Sequence, residues 1–288
     1  AKALDGEVVS CDSMQIYRRM DVGTAKPAAE EMDGVPHHMI DIADPAEDFS
    51  VGKYVELAEP ILQDILSRGK TCVVCGGTGL YADSLLLGRT FAPCPSTGGR
   101  EKLEAEVNHT GIEPVLARLK EVDPESAARL HPSARRRIIR ALEVYLETGE
   151  TISEHNRKTK LLPPKHDAVW LGLSFENRQD LYDRIDLRVE KMLEAGLLDE
   201  IRALLSSGVP PTATAMQAIG YKEFVDALTN SGDIAAAAAL IKRNSRRYAK
   251  RQLTWLRRNG QIHWILQPRE PDFSAVFQQA CANIPFFA

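Results

Sequence analysis

Residues 6–27 read GEVVSCDSMQIYRRMDVGTAKP. Val8 and Val9 lie in a short apolar run that stops at Asp12 and Ser13, and a β-branched run of this length, bounded by polar turn residues, predicts a strand. Asp12 then falls at the carboxyl end of that strand, where open α/β sheets place their ligands. Two readings of Asp12 are open. It is either a carboxylate that accepts a proton or positions a nucleophile, or, with Ser13, the cap of a helix begun by MQIYRRM. Further on, GTAKP presents Thr24 and Lys26 in a loop, where a ligand contact and an ordinary solvated lysine are equally compatible with the pattern.

Similar runs recur along the chain: HHMIDI from His37, KTCVVCGGTG from Lys70, AVWLGLS from Ala168 and QIHWILQ from Gln261. Helical periodicity separates them, over 51–68, 133–148, 177–195, 198–206 and 234–258. Strands alternating with helices predict an α/β fold with a parallel sheet. From Gly88 to about Lys165 the strand pattern is missing, so this span reads as a mainly helical insertion. The breakers Pro93, Pro95, Gly98 and Gly99 mark one hinge, and Pro163 and Pro164 the other. The expected division is a core of 1–92 and 166–288 around an insertion domain of 93–165.

The chain has 288 residues, 44% of them hydrophobic and 26% charged, a composition suited to a globular protein with one substantial core. No apolar run is long enough for a membrane span, and AKALDGEV lacks the layout of a signal peptide, so a cytoplasmic protein without membrane partners is expected. Cys72 and Cys75 have CxxC spacing, but a strand sends residues three apart to opposite faces, which favours reduced core thiols over a zinc or redox pair. His37 and His38 lack a third ligand nearby, so no metal-binding residues are identified; Trp255 and Trp264 read as core. The net charge of −4 conceals one basic element. Between Leu240 and Arg258 stand eight basic residues and no acid. Arg243, Arg246, Arg247, Lys250, Arg251 and Arg257 recur there at steps of three and four, which makes a cationic stripe suited to a phosphate backbone.

Three further segments have residue types suited to chemistry. GGTGLY follows a predicted strand and opens a helix, so its glycines and Thr78 allow close approach of an anion or serve a plain tight turn. In HPSARRRIIRALEVYLETG a helix starts at Ser133, with Ile138, Ile139, Leu142 and Leu146 at core spacing. Its arginines either hold phosphates or pair with Glu143 and Glu147. MQAIGYKEF offers Gln217 for a base edge and Tyr221 for stacking, or a packed turn.

Taken in order, DSMQIY, GTAKP, GGTGLY, RRIIRALEVY, MQAIGYKE and KRQLTWLR resemble the tRNA dimethylallyltransferase (tRNA isopentenyltransferase) family over nearly the whole chain, in its bacterial form. The resemblance implies a P-loop-kinase-like parallel core with a helical insertion. It also implies transfer of a dimethylallyl group from dimethylallyl diphosphate, with Mg2+, to N6 of adenosine-37 in tRNAs reading codons that begin with U. Carried over by motif, Asp12 is the base at N6, and Ser13, Met14 and Gln15 complete a tRNA-contact segment. Thr78 and Arg100 resemble substrate-contact positions, and Arg202 resembles a diphosphate ligand. Arg136, Arg137, Ile138, Ile139 and Arg140 form a second tRNA segment, and Gln217, Ala218, Ile219, Gly220, Tyr221 and Lys222 a third. The implied partners are a tRNA anticodon stem-loop and dimethylallyl diphosphate, and a monomer is expected.

The family's phosphate loop, of GxxxxGK[ST] type, does not occur in these residues, so the cofactor-binding residues are unknown in this sequence. AKALDGEVV reads as the end of a helix followed by a second strand, and the resemblance implies a first strand and its loop before it. Two other classes share parts of the pattern. One is a non-catalytic tRNA-binding protein, and the other is a nucleotide kinase or NTPase, which requires a Walker lysine that these residues lack.

Overall fold

The predicted strand through Val8 and Val9 forms as β1 (Gly6–Ser10), with Val9 fully buried. The computed structural model describes residues 1–89, 91 and 97–284, so Pro93 and Pro95 of the expected hinge, and Cys94, lie outside the described residues. β1 is the middle of a three-stranded parallel sheet, between β2 (His37–His38) and β3 (Thr71–Cys75). The register pairs Val9 with Val74 and Ser10 with Cys75, so β1 and β3 end side by side. His37 and His38, the first residues of the predicted HHMIDI run, are therefore the strand itself.

The link between β2 and β3 is α1 (Val51–Ser67), started by a Ser50 hydroxyl that accepts the Lys53 N–H. Its buried residues Tyr54, Ala58, Leu62 and Ile65 recur at steps of three and four, the spacing that puts one apolar face on a sheet. The Tyr54 hydroxyl donates to the Ser10 carbonyl at 3.1 Å, and its ring stacks on Tyr81 with centroids 4.2 Å apart. Tyr81 belongs to α2 (Gly79–Leu86).

At the other end of β1 lies a buried charge. Glu7, 4% exposed, takes both guanidinium N–H donors of Arg68, at 2.5 and 2.9 Å, and pairs with the His38 ring at 2.9 Å. A buried carboxylate is tolerable only when paired and hydrogen-bonded in this way.

The chain divides into two units: Ala1–Leu85 with Asp167–Ala288, and Leu86–His166. The second unit is helical: α3 (Gly99–Thr110), α4 (Glu113–Val122), α5 (Pro124–Arg129), α6 (Arg135–Thr148) and α7 (Ile152–Lys160). Its core gathers Leu103, Val107, Val115, Leu119, Ile138, Ile139 and Leu142. Ser133 does not cap α6, because its hydroxyl pairs with the His131 ring at 2.8 Å and the helix starts two residues later. Asp123 joins two helix starts, accepting the Ser126 N–H at 2.9 Å and the Ser153 hydroxyl at 2.7 Å.

The first unit resumes with β4 (Trp170–Phe175), which pairs in parallel with β5 (Ile262–Gln267). All five predicted strands form and every pairing is parallel, but they make two separate sheets; neither β3 nor β4 hydrogen-bonds to the other. Between β4 and β5 run α8 (Arg178–Glu194), α9 (Leu197–Ser206), the short α10 (Tyr221–Asp226) and α11 (Ile234–Leu256), and α12 (Phe273–Ala282) follows β5. No helix among the described residues is long and apolar enough to cross a membrane.

Candidate functional site

The chain after β1 does not become a helix. Asp12 Oδ1 accepts the Met14 N–H at 2.8 Å and the Gln15 N–H at 3.4 Å, which folds residues 12–15 into a local turn. The chain then runs on to Tyr17, which bridges to Ala43. A short acidic side chain that bonds backbone two residues on favours such a turn over a helix. The geometry leaves Asp12 Oδ2 without a hydrogen bond among the described residues, on a side chain half-open to solvent.

Opposite, the GGTG turn closes onto the same backbone. The Thr78 N–H donates to the Cys11 carbonyl at 3.2 Å, and Thr78 Oγ1 accepts the Ser13 N–H at 3.0 Å. A Cβ on Gly76 would stand 2.6 Å from the Cys11 carbonyl carbon, so the two strand ends meet this closely only with glycine there. From α11, Gln252 donates to the Gly77 carbonyl at 2.8 Å and the Trp255 indole donates to Asp83 at 3.0 Å. The long basic helix is thus fastened alongside the strand ends.

Cys75, Arg188 and Tyr248 group around Asp12, each near enough for the Asp12 charge to act on it. Arg188 and Cys75 are solvent-exposed, yet protein surrounds both deeply enough for desolvation to push the Arg188 pKa down and the Cys75 thiol up. The Asp12 charge acts on each: it favours the Arg188 cation and disfavours the Cys75 thiolate. Burial and Asp12 together raise the Tyr248 phenol, while hydrogen bonds to Thr78 and Gln252 and the Arg251 cation oppose them. Arg251 lies 5.4 Å over the Tyr248 ring. The arrangement combines an unengaged carboxylate oxygen, a nearby guanidinium and hydroxyl donors at the carboxyl ends of two parallel strands. Chemically, it can accept a proton from one group while holding an anion beside it.

The remaining expected residues fall into three sets. Gln15 is engaged within the loop: its amide donates to the Ala25 carbonyl at 3.2 Å and its oxygen accepts the Ser10 hydroxyl at 3.3 Å, while Met14 is half-buried. Lys26 is no solvated lysine. Its side chain is 5% exposed, and its ammonium joins Asp21 and Asp41, each at 2.5 Å, to the Tyr17 carbonyl at 2.9 Å.

Arg202 does not join the group around Asp12. It lies on the solvent side of α9, paired with Asp199 at 2.8 Å, two residues from Glu200, which turns toward the loop. Arg188, one helix earlier, is an arginine that the Asp12 charge acts on and that the sequence reading did not single out. Its signal, an arginine midway along the DRIDLRVE helix, looks like any solvated helix position until the fold brings it near Asp12. Tyr221 is not free to stack, since it is fully buried and its hydroxyl donates to Glu200 at 2.5 Å. Gly220 is buried, Ala218 and Ile219 are half-buried, and Gln217 and Lys222 are exposed. The Gln217 amide donates to the Pro211 carbonyl at 3.0 Å.

In the helical unit, Ile138 and Ile139 are core residues, 0% and 2% exposed, so their side chains point away from any ligand. Arg140 and Arg100 meet Glu143, at 3.0 and 3.4 Å. Arg136 and Arg137 are exposed and have no carboxylate partner among the described residues. Along α11 the predicted stripe is partly neutralised. Arg246 forms a close pair with both Asp186 oxygens, at 2.5 and 2.6 Å, and neighbouring Lys242 pairs with Glu190 at 2.6 Å. Arg243, Arg247, Lys250 and Arg257 have no such partner among the described residues. The four described cysteines are free; Cys11 is buried, its thiol raised to about 12 chiefly by desolvation, whereas Cys75 is exposed at the strand end and is not a core residue.

Comparison with known proteins identifies the family. The sequence profile of the IPP transferase family matches residues 15–259. The tRNA dimethylallyltransferase 1 of Pelobacter propionicus is 43% identical over 282 residues, covering 98% of this chain and 90% of that protein. The crystal structure of a tRNA isopentenylpyrophosphate transferase from Bacillus halodurans superposes with a TM-score of 0.70 at 42% identity, over 96% of this chain and 87% of that one. A eukaryotic dimethylallyltransferase acting on tRNA superposes with a TM-score of 0.79 at 28% identity, over 98% of this chain and 72% of that one. The chain therefore belongs to the IPP transferase family, that of the tRNA dimethylallyltransferases.

Proposed function

We propose that this chain transfers a dimethylallyl group from dimethylallyl diphosphate to N6 of adenosine-37 in tRNAs that read codons beginning with U. The observation that carries the reading is the unengaged Oδ2 of Asp12, held at the end of β1 by the turn that occupies Oδ1, with the Arg188 cation near enough to feel its charge. An exocyclic amine is a weak nucleophile. A carboxylate that accepts its hydrogen bond aligns the lone pair and takes the proton as the N–C bond forms and the C–O bond to diphosphate breaks, help typically worth about 10²–10⁴-fold.

Charge accumulates on the departing diphosphate, and preorganised donors act most strongly there. Arg188, whose cation the Asp12 charge favours, is assigned to receive it, and the Ser13 and Thr78 hydroxyls are further donors at the strand ends. Among the described residues no three His, Cys, Asp or Glu side chains converge, so they form no metal cage. Mg2+ therefore enters the proposal as an ion carried on the diphosphate, and no step is routed through it. The exposed Arg136 and Arg137 in one unit, and Arg243, Arg247, Lys250 and Arg257 in the other, supply phosphate contacts for the RNA. The cytoplasm, where tRNA is modified, is the matching location, and the chain acts as a monomer.

The test is to incubate the full-length protein with dimethylallyl diphosphate, Mg2+ and unmodified tRNA, and to digest the RNA for mass spectrometry. N6-dimethylallyladenosine at position 37 is the expected product. RNA that binds but stays unmodified would instead indicate a non-catalytic binding protein.

A further inference from the structure

Glu200 is a carboxylate engaged by backbone. Its Oε2 accepts the N–H groups of Asp21 and Val22, both at 2.8 Å. Its Oε1 accepts the Gly23 N–H at 3.2 Å and the Tyr221 hydroxyl at 2.5 Å. Among the described residues it has no Lys or Arg partner. Three successive amides aimed at one anion make a set of charge-assisted bonds, each stronger than a neutral one. The Tyr221 ring covers the segment so closely that a Cβ on Gly23 would lie 2.5 Å from it, which explains glycine in GTAKP.

The next two carbonyls accept side chains from the neighbourhood of Asp12. Arg188 donates to the Thr24 carbonyl at 3.4 Å, and the Gln15 amide reaches the Thr24 and Ala25 carbonyls at 3.5 and 3.2 Å. Arg188 is near enough for the Asp12 charge to favour its cation, and Gln15 is bound by its own N–H to the Asp12 carboxylate. One side chain on α9 thus fixes the stretch of backbone on which both neighbours of Asp12 rest.

We propose that Glu200 is a positioning residue for the transfer reaction. By anchoring the amides of residues 21–23 it sets where Arg188 and Gln15 stand relative to Asp12. The proposal rests on the reading of Asp12 and Arg188 as the transfer site. Misplacement of reacting groups by about 1 Å costs on the order of 10²-fold in rate.

The experiment compares wild type, Glu200→Ala, Glu200→Gln and Tyr221→Phe in the full-length protein. Two readouts are taken: steady-state prenyl transfer, and amide hydrogen exchange of the peptide spanning residues 16–27. In Glu200→Ala the 21–23 amides should lose protection, kcat should fall about 100-fold, and KM for tRNA should stay within about threefold. Glu200→Gln keeps the shape and loses the charge, so about a tenfold loss in kcat is expected, with partial loss of protection. Tyr221→Phe should fall between Glu200→Gln and wild type. If Glu200→Ala does not fold, Glu200→Gln decides.

A variant that folds, exchanges these amides faster and keeps wild-type kcat overturns the positioning role, because Glu200 is then only structural. Unchanged exchange overturns the anchor itself. A wild-type protein that transfers nothing overturns the assigned reaction and the positioning claim with it, a result distinct from an active wild type beside an active Glu200→Ala.

Discussion

Thr78 reaches across the sheet end to Ser13. Its Oγ1 accepts the Ser13 N–H at 3.0 Å and donates to the Ser13 hydroxyl at 3.2 Å, which joins the turn after β3 to the turn after β1. Asp12 sits at the start of that second turn, so the Thr78 hydroxyl holds the position of the proposed base. Thr78→Val keeps the shape and removes the hydroxyl. The expected result is a loss of roughly 1 kcal/mol in stability, the size of one hydrogen bond, with at least a tenfold fall in kcat; denaturant melts beside transfer assays measure both.

Two arginines compete for the diphosphate role. Arg188 lies near enough to Asp12 to feel its charge, and Arg202 points to solvent beside Asp199. Arg188→Ala should lower kcat by about 100-fold or more, since it removes a cation from the developing charge, whereas Arg202→Ala should change it by no more than about twofold. Single-turnover assays on both variants check this, and a larger loss at Arg202 would reverse the assignment.

These two residues also show where the sequence stopped being informative. β1, β3 and the loops after them were legible because β-branched runs followed by glycine and aspartate have a local physical cause. The long helices were legible from their apolar spacing. Arg188 was not, because its proposed role comes from α8 packing that brings it near Asp12, and an arginine inside DRIDLRVE has the local signature of a solvated face. Tyr221 looked like a stacking platform; its burial follows from its fit over Gly23, far away in sequence. The basic stripe was expected on α11 from spacing, but Asp186 of α8 neutralises its Arg246, and Glu190 the neighbouring Lys242. Helix pairing of that kind has no periodic signal.

Arg136 and Arg137 are the exposed members of the helical unit's arginine cluster. Removing one arginine that neutralises an RNA phosphate should reduce the slope of log K against log salt by about 0.7 to 0.9. Arg136→Ala with Arg137→Ala should therefore weaken tRNA binding and flatten its salt dependence, with kcat at saturating tRNA kept within about threefold. Filter binding across a salt series tests this, and Ile138→Ala should instead lower stability by about 2–5 kcal/mol through the cavity it leaves.

The pH dependence of stability has a specific source in Glu7. Hydrogen bonds from Arg68, then from His38, hold its carboxyl at about 2, against an ordinary value of 4.5. Between those values the unfolded chain binds the proton and the folded chain does not, so stability rises with pH there. The Glu7 contribution is fully present above about pH 4.5 and is lost as pH falls toward 2. The difference in thermal midpoint between wild type and Glu7→Gln should accordingly shrink over that window and stay flat above it. A difference that is constant from about pH 2 to 7 contradicts this.

Everything proposed for the site depends on Asp12 Oδ2 being the group that takes the proton from the adenine amine. Asp12→Asn keeps the turn, because the amide oxygen still accepts the Met14 N–H, and removes the base. The decisive measurement is single-turnover formation of N6-dimethylallyladenosine by wild type and Asp12→Asn, with tRNA affinity determined in parallel. The account predicts a rate at least about 100-fold lower with affinity within about threefold. Equal rates at equal occupancy would contradict it.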